Sequence, residues 1–252
     1  MATTTAAPQP APQVSSIGRI FGALFNPKPT FESIAQRPSW LLPMILLIIM
    51  GATVIGIFSQ RVGWRAYMER QDATNSRLQK QMEQMTPEQR EQMISNQTKF
   101  APIVGYVIVS VGGVIVWIII AAVLMGLFNV TSGTQVGFSR SLAIVVHGWL
   151  PWLIHGLLSI MILFLKDPST IDLQNLVASN PGAFLSSDAP KWLSSGLGSL
   201  DIFTFWSLAL MALGFSAVNP KKISFGKAFT YIFAIWLVFV LIFKVALPAA
   251  FS

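Results

Sequence analysis

The feature of this sequence that most limits its fold is a run of 28 residues, from Ala101 to Phe128, without a single charged side chain. About 20 consecutive apolar residues are enough for a helix to cross the hydrocarbon core of a bilayer. Lipid offers no hydrogen bonds to the backbone, so a segment inside it must form a helix or a closed barrel. A barrel strand alternates apolar and polar residues, and this run does not, so it predicts a transmembrane helix.

The same pattern recurs along the chain. The predicted membrane spans are residues 41–59, 101–128, 141–165, 197–218 and 227–247. The composition agrees, because 53% of the residues are apolar and only 11% are charged, against about 25% charged in soluble domains. We therefore expect an all-α protein, a polytopic membrane helix bundle with five transmembrane helices.

The residues before the first span divide into two parts. Residues 1–13 are rich in Ala, Thr, Pro and Gln, a composition typical of a disordered tail. In residues 14–40, six apolar side chains recur at helical spacing: Val14, Ile17, Ile20, Phe21, Leu24 and Phe25. This pattern predicts an amphipathic helix in the membrane interface, ended at Asn26. A second short helix, capped by Thr30, is expected before Pro38.

Two hydrophilic segments separate the spans. Residues 60–100 hold seven basic and five acidic residues, and Thr86–Gln89 has the pattern of a helix start with a capping box. We expect a helical hairpin there, with helices over about 60–84 and 87–99, the first continuing the first span. The hairpin is either a solvated connection or a docking surface for a partner. In residues 166–196, apolar residues between 171 and 177 predict a short amphipathic helix.

The basic residues bear on orientation. If the N-terminus is cytoplasmic, the short segments on that side carry seven of them: Arg19, Lys28, Arg37, Arg140, Lys221, Lys222 and Lys227. The short segments opposite carry only Lys166 and Lys191, and cytoplasmic loops are enriched in Lys and Arg. This count favours a cytoplasmic N-terminus, although the seven basic residues of 60–100 favour the reverse. Six of the seven basic residues named above, all except Arg140, are candidate interfacial contacts to anionic lipid, and so is Trp40.

Titratable side chains inside spans are the first candidates for function in a membrane protein. Asp201 lies near the start of the fourth span and Lys244 near the end of the fifth. Asp201 either caps its own helix by accepting from free backbone N–H groups, or lines a polar pocket. Lys244 either extends to the interface or pairs with Asp201.

Two histidines complete this candidate intramembrane polar site. His147 and His155 lie on the third span, about 12 Å apart along its axis, which is too far for one metal ion. We expect each to be either a helix–helix hydrogen-bond donor or a group at the membrane interface, and Pro151 between them to kink the helix.

Motifs for catalysis are missing from the sequence. It contains no cysteine, no zinc-protease helix motif, no nucleophile elbow and no phosphate-binding loop. We therefore predict no enzyme activity, no catalytic residues, no cofactor and no bound metal.

Three stretches of the chain resemble bacterial members of the Yip family, the Ypt/Rab-interacting membrane proteins. They are NPKPTF at Asn26–Phe31 with PSWLLP at Pro38–Pro43, GSLDIFTFW at Gly198–Trp206, and KISFGKAF at Lys222–Phe229. The resemblance covers roughly residues 15–250 and implies a five-span fold with a cytoplasmic N-terminus. The GTPase binding of eukaryotic relatives is not carried over, because the spans lack their Gly-Pro and Tyr-rich signatures.

Together these features predict a non-enzymatic protein of the inner cell membrane. It would act as a membrane-organising or protein-binding scaffold or accessory subunit, with the lipid bilayer and other membrane proteins as partners and no nucleic acid. Self-association into a homo-oligomer stays open. The alternative is a transporter or channel component, for example an accessory subunit of an export complex. That alternative requires a polar pathway built from Asp201, Lys244, His147, His155, Thr204, Ser110 and Ser207.

Overall fold

The computed structural model describes residues 15–74, 76–186 and 189–250, so the predicted tail at residues 1–13 lies outside it. The described residues are mostly helical and contain no strand, which confirms the all-α class. Its α-helices are α1 Ser16–Phe25, α2 Pro27–Gln36, α3 Leu41–Arg61, α4 Trp64–Thr74, α5 Ser76–Glu83, α6 Pro87–Val107, α7 Gly113–Ser132, α8 Phe138–Gly148, α9 Pro151–Leu165, α10 Lys191–Gly198, α11 Ile202–Val218, α12 Phe225–Phe239 and α13 Leu247–Ala250.

Among the described residues, four helical units are long and apolar enough to cross a membrane, and there are five if a bent pair of helices is counted as one span. The four units are Leu41–Arg61, Pro87–Ser132, Phe138–Leu165 and Phe225–Ala250. The pair is α10 and α11, which meet at a bend of 47° and form one crossing if they are counted together. The predicted polytopic bundle is thereby confirmed, with four or five crossings.

The second crossing is a single helical unit of 46 residues. A π-helical turn at Ile108–Gly112 joins α6 to α7 without a break. The predicted capping box is present, because Thr86 Oγ1 accepts from the Gln89 amide and Gln89 Oε1 accepts from the Thr86 amide. The expectation of a separate helix over 87–99 was wrong, since that stretch is the beginning of the crossing helix.

Contrary to expectation, the first crossing does not continue into the hairpin. It ends at Arg61, and Gly63 has a φ of 77°, a left-handed conformation that glycine adopts without steric cost. The chain then turns into α4. Phe58, Trp64 and Tyr67 meet edge to face around this turn, with ring centroids 5.0–6.4 Å apart.

Helix α2 is more deeply buried in the bundle than an amphipathic helix at a surface would be. It packs against α8 and α11, and Phe31 and Ile34 are fully buried. Thr30 is not the cap predicted for this helix. It lies inside α2 and its hydroxyl donates to the carbonyl of Asn26, the residue at the cap position.

No α-helix forms over residues 171–177, so that prediction was wrong. The stretch follows a 3-10 turn at Pro168–Thr170 and runs through turns and bends. Its apolar residues are nevertheless used, because Ile171 and Leu176 are buried in a cluster with Phe58 and Tyr67.

Loop contacts define the two ends of the bundle. At one end, called the N-terminal end, α1 and α2 lie with the loops 133–137 and 219–224, where Lys222 Nζ donates to the Gly133 carbonyl at 2.8 Å. At the other, called the hairpin end, residues 62–74 and 76–86 lie with residues 166–186. There Arg61 donates to the Leu163 and Phe164 carbonyls at 3.3 Å.

Candidate functional site

Asp201 is buried at the bend between α10 and α11, and it caps α11. One carboxylate oxygen accepts from the amides of Phe203 at 2.8 Å and Thr204 at 3.3 Å. The other accepts from the Ser179 hydroxyl, and the Ser179 carbonyl in turn accepts from the Ile202 amide at 3.2 Å. Because the free amides of a first helical turn favour an anion, the carboxylate holds both the helix start and the preceding loop.

His155 packs beside this cap without bonding to it. Its ring lies edge-on to Phe203 at 5.2 Å and 4.8 Å from Trp152, between ring centroids. The nearest side-chain hydrogen-bond partner is Ser159, 3.4 Å from Nδ1. Asp201 lies within electrostatic range of the imidazole.

His147 belongs to a different part of the bundle. It is fully buried, and its Nδ1 bonds to the Ala143 carbonyl one turn earlier at 2.8 Å. The next residue, Gly148, lies where α8 touches α11, since a Cβ there would stand 2.5 Å from Met211 Cγ. His147 therefore packs at a helix–helix contact and satisfies its hydrogen bond within its own helix.

Lys244 is exposed in the π-helical stretch Val240–Ala246. No ion pair joins it to Asp201 in the part of the chain that the structure describes. Of the predicted polar site, then, only His155 and Asp201 are neighbours, while Lys244 and His147 stand apart. Nor do the described residues contain a group of three His, Asp or Glu side chains that could hold a metal ion.

The third crossing is broken at the position where Pro151 was expected to kink it. Helix α8 ends at Gly148 and α9 begins at Pro151. Trp149 and Trp152 stack across the break with ring centroids 5.7 Å apart. Both indole Nε1 atoms are buried without a hydrogen-bond partner, a feature that sequence reasoning did not single out.

The candidate interfacial residues divide by burial. Lys28, Arg37, Lys221 and Lys222 are exposed, Lys227 and Trp40 are half-buried, and Arg19 is buried. Lys227 lies over the Tyr231 ring at 5.8 Å. Burial of Arg19 was not predicted, because helical periodicity places it beside the apolar stripe of α1 but cannot show that α2 covers it.

Two cavities open on the described surface, and none of the four candidate intramembrane residues lines either. The first, about 480 Å³, lies at the hairpin end and is lined by residues including Lys166, Asp172 and Ser194. The second, about 660 Å³, is a groove in the hairpin. Its lining residues are Gln81, Gln84, Met85, Gln89, Gln92, Met93, Asn96 and Gln97.

Comparison with known proteins agrees with this architecture. The family model of the Yip1 domain matches residues 21–246, nearly the whole bundle from α1 to the last crossing. Neither the curated proteins nor the solved structures gave a significant match. The matched range includes the hairpin and every candidate crossing, except for the last four residues of Phe225–Ala250. This chain therefore belongs to the Yip1-domain family of multi-pass membrane proteins.

Proposed function

We propose that this protein is a non-enzymatic membrane scaffold or accessory subunit, which binds another membrane protein through its hairpin. The hairpin consists of α4, α5 and residues 87–100 of α6. The observation that carries the proposal is the length of the second crossing, 46 residues or about 69 Å, against a bilayer core of about 30 Å. A helix of this length presents several turns outside the lipid.

The groove in the hairpin has the chemistry of a protein-binding surface. Its lining consists of amides and two methionines and includes no charged residue. Amide side chains both donate and accept hydrogen bonds, and methionine adapts its shape to an apolar neighbour. The hairpin is also braced, because Arg65 on α4 donates to both carboxylate oxygens of Glu91 on α6 at 2.8 Å. A braced surface loses less conformational entropy when a partner binds.

Cross-linking in cells, followed by purification in mild detergent and mass spectrometry, tests this proposal. We expect one stoichiometric membrane-protein partner. Met93→Lys places a charge in the groove and should lower recovery of that partner by about tenfold or more, because an unpaired charge is costly to bury. Ser95→Lys adds the same charge to the exposed face of the same helix and should change little. Recovery of the wild type with lipid alone would count against the proposal.

Transport remains the second candidate, and one observation favours it. The third crossing is broken at Pro151 and the fourth is bent at Asp201, and transporters place their binding sites at discontinuous helices. Against it, none of His147, Lys244 and Asp201 lines either of the two cavities described above. Solute flux across reconstituted vesicles that is abolished by Asp201→Asn, with normal folding, would favour transport over the scaffold.

We also propose placement in the inner cell membrane with a cytoplasmic N-terminus. The support is the charge of the N-terminal end, where the short segments are rich in Lys and Arg. Reporter fusions after Met85 and after Ser252 test it. Both should report the non-cytoplasmic side, and a cytoplasmic signal from both would reverse the orientation.

A further inference from the structure

Arg19 is a buried cation without a counter-charge. Only 8% of its surface is exposed. Its Nη1 donates to the Arg37 carbonyl at 2.7 Å and to the Ser39 hydroxyl at 3.0 Å. No carboxylate of the described chain lies within 4.0 Å of it. A guanidinium taken out of water in this way is costly unless an anion compensates for it.

One edge of the guanidinium has no protein acceptor. Nε is shielded from solvent and has no hydrogen-bond partner, and Nη2 makes no hydrogen bond to the described residues. The bond from Nη1 to Arg37 explains why the side chain points inward, since Arg37 ends α2 and its carbonyl is an unsatisfied helix terminus. It uses one nitrogen of three, so capping α2 does not account for the other two.

The charged residues around Arg19 are mostly positive, so they do not compensate for its charge. Burial, and then the neighbouring positive charge of Arg37, lower the pKa of the Arg19 guanidinium. Arg140 at the start of α8 also has a buried Nε without a partner. The segments of the N-terminal end contain one acidic residue, Glu32, and its side chain is exposed.

An apolar rim places this cation at the level of lipid headgroups. Ile17, Phe21 and Phe25 of α1 are 63%, 62% and 74% exposed, which leaves one face of the helix uncovered by protein. Trp40 follows at the entry to the first crossing. Exposed aromatic and aliphatic residues beside a first crossing are typical of a segment embedded at the boundary of headgroups and acyl chains.

We propose that Arg19, with Arg37 at the rim, binds a phosphate group, and that an anionic phospholipid supplies it. Nη2 is free to donate to one phosphate oxygen. Nε is covered, and once its cover moves it can donate to a second oxygen, which gives the bidentate contact in which Arg binds phosphate most strongly. Since the site is at the opposite end from the hairpin, it does not depend on partner binding. A soluble phosphate compound offers the same oxygens, so the test separates the two sources.

Native mass spectrometry of the full chain, stripped of lipid in mild detergent, measures this site. The probes are phosphatidic acid, phosphatidylcholine and inorganic phosphate. We expect one phosphatidic acid to bind about tenfold more tightly than phosphatidylcholine. Arg19→Gln should weaken that binding about tenfold. Arg19→Lys should weaken it by a smaller factor, because a lysine keeps the charge but loses the fork. Lys191→Gln removes an exposed positive charge at the opposite end of the bundle, so it is the matched control and should change the binding little.

Each result of this binding experiment either supports or overturns the phosphate site at Arg19. If Arg19→Gln binds phosphatidic acid as well as Lys191→Gln does, the site does not exist. If inorganic phosphate binds with the same dependence on Arg19 and displaces the lipid, the phosphate site stands but its source is soluble. Should Arg19→Gln fail to fold, Arg37→Gln replaces it, because the Arg37 side chain is exposed. A loss of about threefold then supports the site, and binding equal to the control overturns it.

Discussion

The two ends of the bundle balance their charges differently. In the segments of the N-terminal end, seven basic residues stand with one acidic residue, Glu32. Residues 61–100 and 166–201, with Lys244, contain ten basic and nine acidic residues. An end with excess positive charge attracts an anionic membrane surface. A balanced end satisfies its charges internally, and its specificity for a partner depends on shape and hydrogen bonding.

The contrast extends to single buried charges. Asp201, at the balanced end, accepts hydrogen bonds from two backbone amides and one hydroxyl. Arg19, at the N-terminal end, leaves its Nε without a partner. A buried charge with its hydrogen bonds satisfied needs nothing from outside the chain, whereas an unsatisfied one is costly unless an outside group or a change of protonation compensates for it.

The largest expected effect concerns how tightly the N-terminal end is packed. Gly214 on α11 lies where a Cβ would stand 2.8 Å from Phe31 of α2 and would also overlap Ile144 of α8. Gly214→Leu should therefore destabilise the protein by about 3 kcal/mol, because an overpacked core must shift backbone. Gly126→Leu is the control, since nothing lies within 4 Å of its Cβ position. Equal melting temperatures for the two variants would mean that α2 is not packed into the bundle.

Next in size is the loss of the satisfied charge at the opposite end. Asp201→Ala should destabilise the protein by about 2 kcal/mol, because the amides at the start of α11 lose their cap. Asp201→Asn keeps an acceptor oxygen and should cost less. Thermal unfolding in detergent measures both. If Asp201→Ala has the same melting temperature as the wild type, the cap does not stabilise the protein.

Asp72 is an exception within the balanced end. It is buried and one carboxylate oxygen has no partner; burial, and then Glu69, raise its pKa. Folding thus favours the protonated form of Asp72. Its contribution to stability is present below the pKa of the unfolded state and is lost as the pH rises through the pKa of the folded state. Asp72→Asn should raise the melting temperature at pH 8 and raise it less near pH 4. A gain independent of pH would contradict this assignment.

The smallest effect is expected for the exposed ion pairs of the hairpin. Arg65 contacts Glu69 at 2.9 Å and Glu91 at 2.8 Å, and all three side chains are about half exposed. Exposed pairs contribute little and are screened by salt. Arg65→Gln should leave the melting temperature nearly unchanged, most clearly at high salt. A large drop would show that the hairpin is held mainly by this brace.

The crossings could be predicted from the sequence because the bilayer imposes one requirement on each of them, a long apolar helix. The capping box at Thr86 and the cap at Asp201 could also be predicted, because both are made by hydrogen bonds between residues a few positions apart. Contacts between segments that are far apart in the sequence could not be predicted in this way. Gly214 is an example, because its close contacts are with Phe31 and Ile144, which lie on helices far from it in the sequence.

The polar site was only partly predictable for the same reason. Residue type alone grouped Asp201, His155, His147 and Lys244, but tertiary packing decides which of them meet. Packing brought only Asp201 and His155 near each other. The buried Arg19 depends on α2 folding back over α1, which no local pattern in the sequence encodes.

The measurement that tests the division between the two ends most directly is native mass spectrometry of the protein released with its surrounding lipid. The wild type is compared with Met93→Lys in the hairpin and Arg19→Gln at the N-terminal end. We predict that Met93→Lys loses the protein partner and keeps the anionic lipid, and that Arg19→Gln does the reverse. Loss of both from either variant, or of neither from both, would contradict the assignment of separate roles to the two ends.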